Sequence, residues 1–368
     1  RLQNFSAGSV RKVLVSGSLR LMGKSYNVGI SGYGWAATAH IEAINATSQG
    51  RVTAVCSSRP LDAAELSARH GGEIAVYSDL EAMLADPGLD VIDITGMPSK
   101  HAEQAVAAAN AKKHIILEKP MANTPGEVAS IVKAARDNGV HGCVCFELRY
   151  SDQLQVTNHL LEQGLLGRLH YGEIDYYHGI GPWYGQFRWN TGKEEGGSAL
   201  LTAGCHALDA LLMLMGDRAV ESVTSLSTKS ASEVFAPYEY DTSSVTLLKF
   251  ADGSLGKTAA IVDCLQPYYF HTHLVGSAGS VLDDRFTSMK LSEDRHVWHR
   301  LSMKMCDSGD VSDHPYQSQF QAFFDALDRG EEMPLTSFAD AARTFAVIFA
   351  ADRSAAQGGQ PIQPEPLG

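Results

Sequence analysis

The stretch Tyr26-Asn-Val-Gly-Ile-Ser-Gly-Tyr-Gly-Trp-Ala-Ala37 decides how this chain is read. Val28 and Ile30 alternate as in a strand and run into Gly32-x-Gly34-x-x-Ala37. An alanine-rich helical pattern follows through Ile41 and Ile44. Strand, glycine turn and helix in that order suit a dinucleotide pyrophosphate. Gly32 permits the tight turn and Gly34 lets the backbone approach the phosphates. Ala37 keeps the helix close to the strand, with its first amides facing the negative charge. Glycine turns also join strands to helices where no ligand binds, so the fingerprint needs support from the rest of the chain.

Working outward, Arg51–Cys56 reads as a second strand, Leu61–His70 as a helix stopped by Gly71-Gly72, and Asp79–Leu84 as a short helix. Val91–Ile94 is a buried strand, His101–Ala111 a helix, His114–Leu117 a strand, Glu127–Asn138 a helix and Gly142–Phe146 a strand. This alternation predicts a parallel sheet covered on both faces. The rhythm changes near residue 147. A helix over Ser151–Gln163 and a strand near Leu169–Tyr177 lead through an aromatic loop to a helix over Ser198–Met215. Segments near Glu221–Lys229, Ser243–Phe250, Leu255–Val262, His271–Val275 and Ser280–Asp283 then alternate like an antiparallel sheet, with Asp252-Gly253 as a hairpin turn. Helices over Tyr316–Asp328 and Ser337–Ala356 close the chain. The expected fold is α/β: an N-terminal Rossmann domain over 26–146, then an α+β domain over 147–358 with an open, mostly antiparallel sheet. Residues 1–25 read as an extension (tag, misplaced start or leader), and 359–368 as a disordered tail.

A length of 368 residues exceeds what one core usually serves, which fits two domains. The formal charge of -12 comes with no cluster of lysine and arginine, which argues against nucleic acid as a partner. Val13-Leu14-Val15 is far too short for a membrane span. The six cysteines contain no Cys-x-x-Cys and read as free thiols of a reducing cytoplasm, with Cys143 and Cys145 buried on one strand face. His271, His273 and His314 scatter without metal-ligand spacing, so no metal is expected.

Ligands of such sheets bind at the carboxyl ends of the strands, where several loops are chemically loaded. After the second strand comes Cys56-Ser57-Ser58-Arg59. An NAD-binding fold usually places an acidic residue there for the ribose hydroxyls. Here no carboxylate repels a 2′-phosphate and a guanidinium is at hand, which favours NADP, with NAD open. The alternative is that Arg59 is a solvated charge and Ser58 a helix cap. After the fifth strand comes Glu118-Lys119-Pro120, whose lysine is either a surface charge or a general acid–base group beside the nicotinamide. Finally, Thr202, His206 and Asp209 stand at i, i+4 and i+7, a polar line on an apolar helix behind Gly196-Gly197. That setting suits a proton-transferring histidine.

These segments, together with Thr95-Gly-Met-Pro-Ser-Lys-His101, Glu162-Gln-Gly-Leu-Leu-Gly167 and Phe250-Ala-Asp-Gly253, resemble the Gfo/Idh/MocA oxidoreductase family over roughly residues 26–360. That family includes glucose–fructose oxidoreductase and inositol dehydrogenases. The resemblance implies that Lys119 and His206 are catalytic, His206 relaying the hydroxyl proton and Lys119 orienting or sharing it. It implies cofactor contacts from Gly32, Gly34, Trp35, Ala37, Ser57, Ser58, Arg59, Thr95, Pro98, His101, Glu118 and Lys119. It implies substrate contacts from Arg149, Tyr150, Thr202 and Asp209. Many members carry aspartate where this chain has Thr202, which cannot ionise.

The loop Tyr176–Trp189 is rich in aromatic residues. Trp183, Tyr184 and Trp189 read as stacking surfaces for a sugar ring or, equally, as core and interface packing. The expected activity is NAD(P)-dependent hydride transfer to or from a carbinol carbon of a polyol, sugar, inositol or glycoside. The expected assembly is a homo-dimer or homo-tetramer in the cytoplasm, with no membrane partner. Two rivals share the fold: a glycosidase that uses NAD for transient oxidation, and a non-enzymatic dinucleotide-binding sensor. The pairing of Lys119 with His206 argues against the sensor.

Overall fold

The computed structural model describes residues 24–216, 218–306, 309 and 314–368; apart from Lys24 and Ser25, the expected N-terminal extension lies outside them. Strands β1 (Tyr26–Ser31), β2 (Gly50–Cys56), β3 (Ala75–Tyr77), β4 (Val91–Ile94), β5 (His114–Leu117) and β6 (Gly142–Val144) alternate with helices α1 (Trp35–Asn45), α2 (Ala63–His70), α3 (Leu80–Leu84), α4 (His101–Asn110) and α5 (Pro125–Asn138). The sheet is wholly parallel in the order β3-β2-β1-β4-β5-β6. Val28, Ile30, Val91, Ile92, Ile115 and Ile116 are fully buried, as both faces of such a sheet are covered. The order in which successive strands are added reverses between β1 and β4, which opens a crevice at their carboxyl ends.

Local chemistry sets the helix ends. Thr124 caps α5 by accepting from Glu127 N, Pro125 takes the first helical position, and Gly139 ends it with φ 64°. Helix α5 therefore begins two residues ahead of the expected start. β3 escaped the sequence reading, because three edge residues between two glycines and Asp79 show no period.

The second half contains α6 (Asp152–Glu162), β7 (Leu169–Tyr177), α7 (Phe187–Asn190), α8 (Lys193–Gly196), α9 (Cys205–Met215), β8 (Val220–Thr228), β9 (Ser243–Phe250), β10 (Leu255–Ile261), β11 (Tyr269–Gly276), β12 (Gly279–Leu282), β13 (Arg285–Ser288), β14 (His299–Arg300), α10 (Tyr316–Arg329) and α11 (Phe338–Ala356). Its sheet runs β14-β13-β12-β11-β7-β10-β9-β8 and is antiparallel except where β7 pairs with β10. Helices α9 and α11 cover one face. On the other, Leu226, Val245, Leu247 and Leu255 stay exposed.

Three features differ from the sequence reading. The helix expected over Ser198–Met215 begins with a π turn, Leu200–Gly204, before regular α9. The tail over 359–368 is ordered: Val223 and Ile362 exchange two backbone hydrogen bonds of 2.8 Å, and Leu367 packs on the core. Helix α10, late in sequence, joins the core of the first half, with Phe320, Phe323 and Phe324 fully buried against the α1 side. Each such burial stabilises by about 1.5–3 kcal/mol, so the first 146 residues do not close their own core.

Candidate active site

The crevice is built by two touching loops. Gly32 has φ +96°, and a Cβ there would sit 3.0 Å from Gly96 Cα, so only glycine fits the turn. Thr95 Oγ1 donates to Gly32 O at 3.0 Å and ties the loop after β4 to the loop after β1. A Cβ on Gly34 would meet nothing within 4 Å, so the space above the turn is open. Helix α1 has no side-chain cap and no acidic residue in its first turn, which leaves its first amides to an anion. These features fit a dinucleotide pyrophosphate. Ala37 is buried in the α1–sheet contact. Ser57 is buried and accepts from Arg59 N at 3.1 Å, while Ser58 and Arg59 are exposed. The Arg59 guanidinium donates to Tyr33 O and so lies beside the glycine turn.

Behind the next two loops runs a buried polar chain. His40 on α1 contacts Asp93 on β4 at 2.9 Å through Nδ1 and Glu118 at 3.0 Å through Nε2. Burial opposes charge on this imidazole, but Asp93 and Glu118 hold its pKa up at about 10. Burial likewise pushes Glu118 up, yet His40, Lys119 and the Tyr316 hydroxyl bring it down to about 2. Glu118 also accepts from Lys119 N at 2.9 Å. The residue expected to line the nicotinamide pocket thus holds the backbone of the lysine beside it. His101 bonds Pro120 O through Nδ1 at 2.7 Å, and Pro98 opens the short 3-10 turn that leads into α4.

Lys119 reaches across to the second half, where its ammonium donates to Thr202 O at 3.4 Å. Thr202 lies in the π turn, whose wider winding alters the local ladder one turn before His206. Its hydroxyl donates to Asn190 Oδ1 at 2.7 Å, so it is committed to the protein. His206 is buried between Phe146, edge-on at 6.0 Å, and Tyr176, stacked at 6.5 Å. Burial, with Lys119 adding to it, lowers His206 to about 4, so the ring is neutral at pH 7. Its Nδ1 and Asn190 Nδ2 are buried with no hydrogen-bond partner among the described residues. The structure therefore brings the Lys119 ammonium of the first half to the π turn that precedes His206 in the second.

Other expected contacts are placed differently. Arg149 and Asp209 pair with each other rather than with the cleft. The guanidinium donates to Asp209 Oδ1 at 2.6 Å and also to Asp340 and Leu335 O, and Asp209 accepts from Thr344 Oγ1 at 2.8 Å. Both are buried, and together they tie α9, α11 and the turn after β6 to one another. Asp209 stands one turn beyond His206, and that turn is enough to put it in this network. The Tyr150 hydroxyl is likewise taken, by Pro334 O at 2.9 Å. Trp183 is 61% exposed with its indole N–H on Gly179 O, and Trp189 is half-buried. Tyr184 meets Trp35 edge-on at 5.5 Å and donates to Gly309 O, so the aromatic loop closes over the start of α1.

The sequence reading missed His40, Asp93, Glu147, His178, Asn190 and Tyr316. A polar residue on the apolar face formed by Ala37, Ile41 and Ile44 was the available signal for His40. Nothing local marks the others. Glu195 holds Ser99 through its hydroxyl (2.7 Å) and amide (3.0 Å), clamping the halves together beside the cleft. His271 and His273 gather with Glu173 on the outer sheet face, within ligating distance of one another, although Lys257 already donates to Glu173 at 2.8 Å. A cavity of about 860 Å³ beside α5, α11 and the C-terminal tail has neither Lys119, His206 nor the glycine turn in its lining. Lys193–Met215 is long and apolar enough to cross a membrane, but it is 83% buried inside the protein.

Residues 26–146 match a family described as "Oxidoreductase family, NAD-binding Rossmann fold", and residues 154–282 match the "GFO/IDH/MocA C-terminal domain". Levoglucosan dehydrogenase of Pseudarthrobacter phenanthrenivorans is 29% identical over 251 residues, 62% of this chain and 63% of the relative. D-Glucoside 3-dehydrogenase of Escherichia coli is 32% identical over 176 residues, 47% of this chain and 49% of the relative. The chain thus spans less than two thirds of the length of these curated relatives. A solved levoglucosan dehydrogenase in complex with NADH and levoglucosan superposes with a TM-score of 0.81 at 25% identity, covering 93% of this chain and 100% of that one.

Proposed function

The chain belongs to the Gfo/Idh/MocA oxidoreductase family, and from that membership we propose that it moves hydride between nicotinamide C4 and a carbinol carbon of a sugar, inositol or glycoside. The observation that carries the reading is the meeting of Lys119, on the loop after β5, with the Thr202–His206 turn of the second half. Lys119 follows a strand whose carboxyl end lies on the same side of the parallel sheet as the glycine turn, which supports the reading.

A dinucleotide would be held by the loop from Gly32 to Ala37, Thr95 and the Ser57–Arg59 loop, and would supply the hydride acceptor or donor. The protein's part is proton handling and orientation. His206, neutral at pH 7 because burial lowers it to about 4, accepts the hydroxyl proton during oxidation. The Lys119 ammonium stabilises negative charge developing on the same oxygen. In reduction the imidazolium returns the proton to the alkoxide. Trp183, exposed at the rim, offers a stacking face to the sugar.

NADP is the preferred cofactor in this reading. The Ser57–Arg59 loop holds no carboxylate, and Arg59 lies beside the turn where a 2′-phosphate would be met. The exposed outer sheet face, with Leu226, Val245, Leu247 and Leu255, is the surface through which copies associate as a dimer or tetramer. Six free cysteines and no disulfide among the described residues suit the cytoplasm.

A spectrophotometric screen of levoglucosan, glucosides, inositols and free sugars, run in parallel with NADP and NAD, tests the proposal. Cofactor reduction by at least one polyol, faster with NADP, is expected. Failure of every polyol and every corresponding ketone to change the cofactor's redox state would overturn it. Bond cleavage without net cofactor change would transfer the chain to the glycosidase reading.

A further inference from the structure

Helix α9 leaves His206 with a buried donor-capable nitrogen and no bond to satisfy it, since Nδ1 has no partner among the described residues. Buried polar groups in native proteins are almost always paired, so an orphan next to chemistry calls for a reason. Thr202, one turn earlier, cannot ionise, and its hydroxyl already serves Asn190. Across the cleft from α9, the 3-10 turn Glu147–Tyr150 packs on the helix. Its first residue, Glu147, is 1% exposed, and its Oε2 accepts no hydrogen bond among the described residues. The preceding ring, Phe146, lies directly against His206. A buried carboxylate with a free acceptor and a buried imidazole with a free donor-capable nitrogen therefore lie on two elements in contact, each a charge neighbour of the other.

We propose that Glu147 is the positioning carboxylate of His206: it holds the imidazole in the Nδ1–H tautomer and leaves Nε2 to take the substrate proton. This rests on the dehydrogenase reading for its chemistry, but not for its structural content. During oxidation Nε2 would take the O–H proton as the carbonyl forms, the C–H hydride being accepted by the bound nicotinamide cofactor. The imidazolium so created then stands beside a carboxylate instead of alone in a buried site, and its proton leaves to solvent before the next turnover. Hydrogen bonds of this kind are often long in unliganded enzymes and tighten when substrate fills the site.

The surrounding charges are consistent with this pairing. Burial pushes Glu147 up, but His206 and His314 together hold it below the usual carboxylate range, so it is ionised at neutral pH. His314 Nδ1 lies 2.9 Å from Glu147 Oε1, and neither carboxylate oxygen of Glu147 meets hydrogen-bond geometry with a described residue. On His206, Glu147 is the largest influence favouring the charged ring, against burial, Lys119 and His314, with Glu118 a smaller contribution in the same direction as Glu147. On Glu147 itself, Glu118, also ionised, opposes the two histidines by pushing the carboxyl up; the remaining titratable neighbours, Cys145, Cys205, Tyr176 and Tyr316, have pKa values above their ordinary ones and stay neutral at pH 7. Glu147 is thus the carboxylate best placed to answer the His206 charge.

The test uses the full chain, labelled with ¹⁵N-histidine, at neutral pH. The His206 ring signals are identified by their loss in His206→Gln. Wild type should show His206 mainly as the Nδ1–H tautomer. Glu147→Leu, which removes both acceptor and charge, should shift it several-fold towards Nε2–H. Glu147→Gln, which keeps an acceptor, should preserve the tautomer. On the polyol with the best turnover, Glu147→Leu should lower kcat by roughly 10- to 100-fold with cofactor KM unchanged. Glu147→Gln should lose part of kcat and Glu147→Asp should recover part. Circular dichroism establishes that each variant is folded. If Glu147→Leu does not fold, a wild-type His206 found as Nε2–H, or a Glu147→Gln enzyme with unaltered kcat, still overturns the proposal, as does an unchanged tautomer in folded Glu147→Leu. The spectroscopic arm needs no substrate. Its failure with turnover intact sinks the pairing alone, and absence of any turnover sinks the dehydrogenase reading alone.

Discussion

Two buried charge clusters lie one helical turn apart on α9, and they are finished differently. Around Asp209, donors and acceptors are matched: Arg149 serves Asp209, Asp340 and Leu335 O, and Thr344 completes the carboxylate. Around His206 the accounts stay open. Nδ1 of the ring, Oε2 of Glu147 and Nδ2 of Asn190 are all buried and have no hydrogen-bond partner among the described residues. A saturated network holds elements together and has nothing left to offer a ligand. An unsaturated one is costly in the empty protein, because each unmet polar group costs about 1–3 kcal/mol. A site that keeps such groups gains only when something binds and satisfies them. The sequence presents His206 and Asp209 as neighbours on one polar line, and the structure finishes the two surroundings differently.

The contrast can be broken by mutation on each side. In the open cluster, Lys119→Ala should reduce kcat by about 100-fold or more while a fluorescence titration shows cofactor binding intact. Full turnover in that variant would remove Lys119 from the mechanism. In the saturated cluster, Asp209→Ala leaves Arg149 buried without its main counter-ion and should lower unfolding stability by about 3–5 kcal/mol in a urea titration. A loss of activity in Asp209→Ala without loss of stability would reassign Asp209 to the site.

A pH scan sharpens the same division. Burial pushes His114, His178 and His206 each down to about 4 in the folded chain. Below about 6.5 the unfolded chain takes up these protons and the folded one does not, so stability falls as pH drops from about 6.5 to 4. Each group contributes a slope of up to about 1.4 kcal/mol per pH unit in that window. His206→Gln should remove one share of this slope, and an identical acid profile would show that the ring is not buried neutral. The smallest effect expected is at the cofactor loop. Arg59→Ala should raise KM for NADP by roughly 10-fold, the worth of one lost charge-assisted bond, and leave KM for NAD unchanged. Equal changes for both cofactors would mean that Arg59 does not read the 2′-position.

Much of the first half could be read from local pattern. The strands β1, β2, β4 and β5 bury residues that the apolar runs announce, and Gly32 occupies the positive φ that its motif requires. The second half was legible by element and less so by pairing. The parallel contact of β7 with β10 and the strands β13 and β14 leave no periodic trace, because pairing partners and short edge strands depend on neighbours distant in sequence. Ile362 looked like part of a polar tail, yet an open backbone edge at Val223 gave it a partner. Of the site residues, Lys119 and His206 stood out by motif. Glu147 did not, since a glutamate before Leu148-Arg149-Tyr150 gives no sign that its carboxylate will be enclosed.

What the sequence determined by itself was the order of the elements, the glycine turn and the chemical types available at each loop. These follow from backbone sterics and short-range periodicity, which act within a few residues. Only the tertiary structure decided which of those groups meet, which are saturated by a neighbour and which are left with a free donor or acceptor. That choice depends on burial and on contacts between segments as far apart as Lys119 and Thr202. Desolvation, which turns an ordinary histidine into a neutral base, exists only once the chain has closed around it.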